Sequence, residues 1–515
     1  MEGRQTARNG RSGNGRGGNG RNANGRGGNG HRADGREGNG RGGDGHRGSA
    51  RRRRGEELTL QERVARGRLA RERTPRSSHA VWELPADRRD PVEQLEAQAE
   101  TRLGELIPIR HGRMLVSPFT YFRGAALPMA SDLASMGDSG LMVQACGDAH
   151  LSNFGIFGSP ERHLFFDVND FDETALGPWE WDVKRLAASL EVAGRDNGFT
   201  RKQRTSIVRR AVRSYRETMR QFARSPMLGV WYAHLDMDEM LPRFRSLLNP
   251  KKTPSVWRAI DKARAHDSHQ AFEKLCALEQ GEPRIISDPP LIMPVEDCVQ
   301  VVDPAVMEEA MSTIMRSYRR TLAPNRRHLL DHYRFVHLAR KVVGVGSVGT
   351  DAWILLLLDD HGAPLLLQVK QAETSVLEQF TTKSRFSNHG QRVVAGQRLM
   401  QAASDIFLGW ERFDWGGQSR DYYIRQLRDW KGSADIRGMT PAGMELWGLM
   451  CGWTLARGHA RSGDRIAIGA YLGRSDVFDR AIADFSIAYA DQNERDYDEL
   501  KDAVRSGRLA AQTGI

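Results

Sequence analysis

Cysteine is scarce in this chain of 515 residues. There are four, Cys146, Cys276, Cys298 and Cys451, and none has a CxxC or other paired spacing. That argues against a disulfide framework and a cysteine zinc site, and favours a reducing, cytoplasmic setting. Long apolar runs are missing too. The longest aliphatic stretch, Ile354 to Leu358, is far too short to cross a bilayer. The N-terminus lacks the apolar segment of a secretory signal, so no membrane partner is expected. Net charge is also absent from most of the chain. Residues 1–54 carry 14 arginines against Glu2, Asp34, Glu37 and Asp44, a net of +10 out of +11 for the whole chain. Residues 55–515 are left with about +1. The basic character therefore belongs to a tail, which weakens any claim that the body binds nucleic acid.

The tail repeats a loose Asn-Gly-Arg-Gly-Gly pattern and ends in Arg51-Arg52-Arg53-Arg54. Glycine loses much entropy on ordering, and nothing apolar is present to offset it, so disorder is expected. Such a segment either makes weak contacts with RNA or serves as a solvated extension. The rest divides into a helix-rich lobe at 55–330, a β lobe at 331–435 and C-terminal helices at 436–515. The fold class expected is α+β and helix-rich.

Local patterns place the elements. Helices are expected over 55–75 and 88–110, from about 118 through Met129 and Leu133, from Asp182, and after Thr200. Residues 223–330 look mostly helical, with proline-bearing loops near 283–294. Strands are expected at Leu141–Cys146, His163–Val168, His337–Val343, Trp353–Leu358 and Leu365–Lys370, with two more at Phe407–Trp410 and Tyr422–Leu427. Thr440-Pro441 opens a further helix, with a cap residue and a proline at the first position. The last helices run through 475–508.

Two acidic clusters carry the chemistry. The first is Gly147-Asp148-Ala149-His150-Leu151-Ser152-Asn153 and the second is Asn169-Asp170-Phe171-Asp172-Glu173. An Asp, an Asn five residues on, and a second Asp after an apolar run suit phosphoryl transfer. One carboxylate orients the acceptor, while an amide oxygen and another carboxylate hold magnesium on the phosphates. Asp148 is the expected base, and Asn153 and Asp170 are the expected metal ligands. Asp172 reads either as a further metal ligand or as a surface charge. His150 reads either as a loop-shaping residue or as a direct participant. Asp167 reads as structural. A glycine loop, Gly344-Val345-Gly346-Ser347-Val348-Gly349, lies between two strands, with Lys370 on the next one. A dinucleotide fold needs a helix after the glycines. A strand follows here, as in a kinase hairpin whose loop covers the nucleotide phosphates while a lysine grips them. Glu373 and Glu378 lie just beyond Lys370, and either is a candidate partner for it. Arg123 is a further candidate for a phosphate or substrate contact.

Cys146 to Asn153 resembles the His-Gly-Asp-x-His-x-x-Asn loop of aminoglycoside and choline phosphotransferases. Asp170-Phe171-Asp172 resembles their metal-binding motif. Gly177-Pro178-Trp179-Glu180-Trp181-Asp182-Val183 resembles their helix start, whose Asp braces the catalytic loop. Cys146 stands where those enzymes have His. A second resemblance covers most of residues 90–500, to the bacterial domain-of-unknown-function family 2252. It rests on Ser117–Gly124, Gly147–Gly155, Asn169–Thr174, Gly177–Leu186 and Val393–Asp405, and it implies no substrate. The phosphotransferase resemblance implies a two-lobe kinase-like fold. Its segments occur here in reversed order, with the catalytic loop about 200 residues before the glycine hairpin. Circular permutation accounts for that order, with the helix from Thr440 to His459 just ahead of the loop.

The expected activity is phosphoryl transfer from ATP with Mg²⁺ to the hydroxyl of a small-molecule acceptor. Gly344, Gly346 and Gly349 would cover the phosphates. Three other readings stay open: a metal-dependent phosphoesterase built on Asp148, His150, Asp170 and Asp172; nucleotidyl transfer; and a catalytically silent body carrying a nucleic-acid-binding tail.

Overall fold

Proline and glycine punctuate the front of the chain. A computed structural model describes residues 58–240, 258, 268–298, 304–415, 418–427, 430 and 432–515. Leu58–Ile515 forms one compact unit, and the tail expected to be disordered lies outside the described residues. Helix α1 is Leu60–Arg73, started by a Thr59–Glu62 capping box. The helix expected over 88–110 is two helices, α2 Pro91–Ala99 and α3 Ile107–Met114. Gly104 lies in the break, where glycine loosens the backbone, and Pro108 lies in the first turn of α3, where proline is favoured. Helices α4 Pro118–Gly124 and α5 Ala126–Ala134 follow.

Strand β1, Met142–Ala145, leads into the first acidic cluster. Strands β2 Phe154–Gly158 and β4 Ala175–Pro178 have no counterpart in the sequence reading. Both are short and contain glycine, which hides the alternation that marks a strand. Strand β3, Leu164–Val168, pairs with β2, and β1 pairs with β4. Helix α6 starts at Trp179, three residues before Asp182, because β4 ends at Pro178 and the chain turns directly into the helix. Helix α7, Arg201–Phe222, begins with a Thr200–Gln203 capping box.

Residues 223–330 are less helical than expected. Helices α8 Met227–Tyr232, α9 Ser268–Leu275, α10 Pro304–Arg320 and α11 Pro324–Leu330 alternate with the short strands β5 Leu235–Asp236, β6 Cys276–Glu279, β7 Glu282–Ile285 and β8 Ile292–Pro294. Strands β6 and β7 form a hairpin across Gln280-Gly281, both at positive φ. That two-residue turn matches the twist of its strands.

Strands β9 Tyr333–Lys341, β10 Ala352–Asp359, β11 Pro364–Gln371, β12 Gly409–Trp415 and β13 Gln418–Gln426 join β8 in one antiparallel sheet, ordered β12-β13-β11-β10-β9-β8. Strand β10 is buried on both faces. Trp353, Leu355 and Leu357 pack with Tyr318 and Leu367, while Ile354, Leu356 and Leu358 pack with Leu275 and Ile292. Its unbroken apolar run follows from that double burial. Helix α12, His389–Met400, lies between β11 and β12 in the chain.

Helices α13 Pro441–Ser462, α14 Arg465–Leu472 and α15 Val477–Arg505 close the chain. Thr440 caps α13, and Pro441 occupies its first turn. Helix α13 crosses α7 closely at Gly452, where a Cβ would fall 2.2 Å from the Ala211 carbonyl oxygen. Their common core also holds Trp179 stacked on Tyr215 and Trp447 edge-on to Phe166. No described helix is long and apolar enough to cross a membrane.

Candidate active site

The first acidic loop is held by its own following helix. Gly147 has φ +84°, and a Cβ there would sit 2.2 Å from the Glu173 carbonyl oxygen, so the turn needs glycine. Asp182, in the first turn of α6, accepts hydrogen bonds from the amides of Cys146 (2.8 Å) and Gly147 (3.0 Å). A histidine also reaches Asp182. It is His459 of α13, 277 residues downstream, at 3.0 Å. The Tyr215 hydroxyl lies 2.9 Å from the other ring nitrogen of His459.

One turn beyond Asp182, Arg185 reaches Asp148 Oδ1 with Nε and Nη2, each at 2.7 Å. Its Nη2 also donates to the Phe122 carbonyl at 2.8 Å, and the guanidinium lies 4.1 Å over the Phe122 ring. Burial pushes the Asp148 carboxyl up, but Arg185, His150 and Arg123 outweigh it and hold the group below its ordinary range. His150 is buried, with Nε2 3.6 Å from Asp148 Oδ2. Burial drives its pKa to about 3, against the pull of Asp148, so the ring is neutral. Its Nδ1 has no hydrogen-bond partner. Asn153 closes the loop by donating from Nδ2 to the Asp148 carbonyl at 2.8 Å.

The β2–β3 hairpin brings the second cluster alongside. Phe154 pairs with Val168, and the Asn169 amide donates to the Asn153 carbonyl at 2.8 Å. Asp167 faces away, buried in an ion pair with Arg457 at 2.6 Å. Asp170 and Asp172 meet the sheet. Lys370 Nζ contacts Asp172 Oδ2 directly and lies 3.9 Å from Asp170 Oδ2. Tyr423, paired with Lys370 in the β11–β13 register, donates to Asp172 Oδ1 at 2.8 Å. Burial pushes Asp170 up and the charge of Asp172 adds to it, beyond what Lys370 recovers. Asp172 ends low, because Lys370 and Tyr423 outweigh burial. Lys370 is raised, since the two carboxylates overcome the burial penalty on its charge.

Lys370 does not pair with either glutamate that follows it. Glu378 lies 3.6 Å from Arg392 and accepts from the Ser384 amide. Glu373 lines the cavity beside Gln371. Asp172 is not a free surface charge, since it is bound by the lysine and the tyrosine. The glycine loop spans the β9–β10 connection, with Gly344 and Gly349 at positive φ. Arg102 donates to the Gly346 and Val348 carbonyls at 2.7 and 2.5 Å, and Arg113 to the Gly344 carbonyl at 2.7 Å. Ser347 Oγ donates to Asp172 Oδ2 at 3.3 Å.

Both halves line one cavity of about 550 Å³, within the range of small-molecule sites, about 300–1,000 Å³. Asp148, His150, Asn153, Asp170 and Asp172 face Gly344, Gly346, Arg123 and Glu373 across it. A larger cavity of about 940 Å³, lined by Met307, Met311, Met315 and β9, contains none of these groups.

Several participants were not singled out from sequence. Arg185 had a signal, an arginine three residues after the bracing Asp182 on a helix. Tyr423 and Arg392 had none, because each arrives through distant pairing, while His459 was named only as the end of the helix placed ahead of the loop. Arg392 donates to the carbonyls of Asp172, Thr174 and Glu373 and so ties the second cluster to the end of β11. Glu173 accepts from the Val376 amide at 2.7 Å at the same junction, and burial raises its pKa to about 7.

The model of one protein family, described as an uncharacterized protein conserved in bacteria (DUF2252), matches residues 102–503. The chain belongs to that family. No curated protein and no solved structure matches it.

Proposed function

We propose that this chain is an ATP- and Mg²⁺-dependent phosphotransferase with a kinase-like, circularly permuted arrangement, acting on a hydroxyl of a small molecule. The observation that carries the reading is Lys370. It reaches from the strand after a glycine-loop hairpin onto Asp172 and lies 3.9 Å from Asp170, two carboxylates that line the same cavity as Asp148. A lysine so placed exchanges a carboxylate for nucleotide phosphates at little electrostatic cost. The permutation is supported by the end of α13, whose Ser462 and His459 meet Gln144 and Asp182. That helix stands beside the strand that enters the catalytic loop.

The donor chemistry fits Mg²⁺. Asp170 is a hard oxygen ligand whose ionised form a cation would favour, and the Asn153 side-chain oxygen accepts no hydrogen bond among the described residues. Those residues hold no group of three or more His, Cys, Asp or Glu side chains with metal-holding geometry. Magnesium would therefore rest on Asn153, Asp170, phosphates and water. It would neutralise charge on the transferred group. Asp148, held ionised by Arg185, is a weak base. It accepts a hydrogen bond from the acceptor hydroxyl and orients it. The hydroxyl oxygen forms a bond to the γ-phosphorus, the bond to the β,γ-bridging oxygen breaks, ADP leaves, and the hydroxyl proton departs through Asp148 or water. The ion pairs count against a phosphoesterase, since Arg185 and Lys370 already occupy two of its carboxylates.

The test is calorimetric titration of the full-length protein with ATP and Mg²⁺. Saturable binding that Lys370→Met abolishes is expected. No binding by the wild-type chain overturns the reading.

A further inference from the structure

One wall of the cavity comes from residues 94–123, a segment that none of the acidic or glycine motifs covers. It is polar and cationic. Gln94, Gln98, Thr101, Arg102, Arg110 and Arg123 line it, and the described lining of the whole cavity contains no Phe, Tyr or Trp. Arg110 is 0 % exposed. One of its nitrogens donates to Gln98 Oε1 at 2.9 Å and to the Gly124 carbonyl at 3.3 Å, while Nε and Nη1 have no partner. Arg123 makes no hydrogen bond and no ion pair among the described residues, and its Nε is buried without a partner. Glu93 and Glu373 line the same cavity but form no ion pair with either arginine. A buried guanidinium without a carboxylate is costly unless an anion completes it. Its fork suits a bidentate oxyanion.

The wall meets the glycine loop through Arg102, which donates to the Gly346 and Val348 carbonyls. Its other end meets the catalytic loop: Arg123 follows Phe122, whose carbonyl is bound by the same Arg185 that holds Asp148. Arg123 therefore stands on the Asp148 side, where the acceptor hydroxyl is oriented, and Arg110 reaches the carbonyl of the next residue, Gly124. We infer that the wall at 94–123 is the acceptor subsite, and that it takes a small hydroxylated molecule bearing a phosphate or a carboxylate, gripped by Arg110 and Arg123. An acyl-chain acceptor would find no aromatic ring there and few apolar groups, Ala97, Ala126 and Leu127 among them. This assignment rests on the phosphotransferase reading.

The experiment titrates the full-length protein, saturated with a non-hydrolysable ATP analogue and Mg²⁺, with glycerol 3-phosphate, glycerate and glycerol. At least one anion binds and glycerol does not, and which anion binds separates phosphate from carboxylate recognition. Arg110→Gln and Arg123→Gln each weaken that binding about tenfold or more, with nucleotide affinity within about twofold of wild type. Arg123→Gln and Arg123→Lys, at the less buried position, carry the test if Arg110→Gln does not fold. The inference is overturned if neither anion binds, if the arginine variants bind as well as wild type, or if the nucleotide analogue blocks the anion. Failure of the analogue itself to bind sinks the phosphotransferase reading instead. The anion titration, repeated without nucleotide, then reads the arginines alone.

Discussion

The two acidic clusters meet their cations in different ways. Asp148 is held by Arg185, 37 residues away on the next helix, in a pair that is locally neutral. Asp170 and Asp172 share Lys370, which lies 198 residues from Asp172 on a different sheet. Burial and the charge of Asp172 raise the pKa of Asp170 against the pull of Lys370 and Arg425, while Lys370 and Tyr423 lower that of Asp172. In the proposed reading the first cluster orients the acceptor through a pair already made. The second keeps a carboxylate, Asp170, whose ionised form a further cation such as magnesium would favour.

Removing each cation breaks the comparison most sharply. Lys370→Met leaves two neighbouring acids without their shared partner, and Arg185→Met leaves one. Removing one member of a buried pair costs about 3–5 kcal/mol, and partial solvent access places both variants at or below the low end of that range. Urea unfolding at pH 7 reads that loss. ATP binding is abolished in Lys370→Met and retained in Arg185→Met, where turnover falls instead, about a hundredfold. Equal loss of nucleotide binding in both would erase the distinction.

Proton linkage sharpens it next. Glu173, beside the second cluster, has its pKa raised by burial to about 7 from an ordinary 4.5. The folded chain then binds more protons than the unfolded chain across that window. Its contribution to stability therefore falls as pH rises from about 4.5 to about 7. Asp172 has the opposite sign. Its pKa is lowered, so its contribution is present above the ordinary carboxyl range and is lost as pH falls through the folded value. Glu173→Gln removes the first slope, worth at most about 3 kcal/mol, and leaves the acid-side loss. Unfolding free energies measured from pH 4 to 8 in both proteins decide this, and an unchanged slope would place Glu173 outside the linkage.

The smallest effect comes from Tyr423→Phe. It deletes one hydrogen bond to Asp172 and keeps the ring, so about 1 kcal/mol of stability is lost. Asp172 rises toward the ordinary carboxyl range, and nucleotide affinity changes only severalfold. A loss as large as that of Lys370→Met would assign the tyrosine a role beyond steadying the carboxylate.

Legibility followed chain distance. The glycine hairpin, the buried run of β10, the Thr200 and Thr440 helix starts and both acidic clusters were readable, because periodicity, turn chemistry and caps act within a few residues. Strands β2 and β4 were not, being five and four residues long with glycines that blur alternation. Glu373 and Glu378 were natural partners for Lys370 by proximity in the chain. A strand running into a following segment carries neighbouring residues away from each other, so they meet Gln371 and Arg392 instead.

By itself the sequence determined which groups this protein has for chemistry and which local elements present them, since those depend on short-range sterics and hydrogen bonding. It also determined membership in the bacterial family, whose model matches residues 102–503, through motifs spread from Ser117 to Asp405. Only the tertiary structure decided that Lys370 closes on Asp172, that His459 joins Asp182, and that Arg110 and Arg123 keep unpartnered guanidinium nitrogens at the cavity that Asp148 lines. Those contacts join residues up to 277 positions apart. They form only when sheet and helices bury their apolar faces together, a choice that no local window of sequence contains.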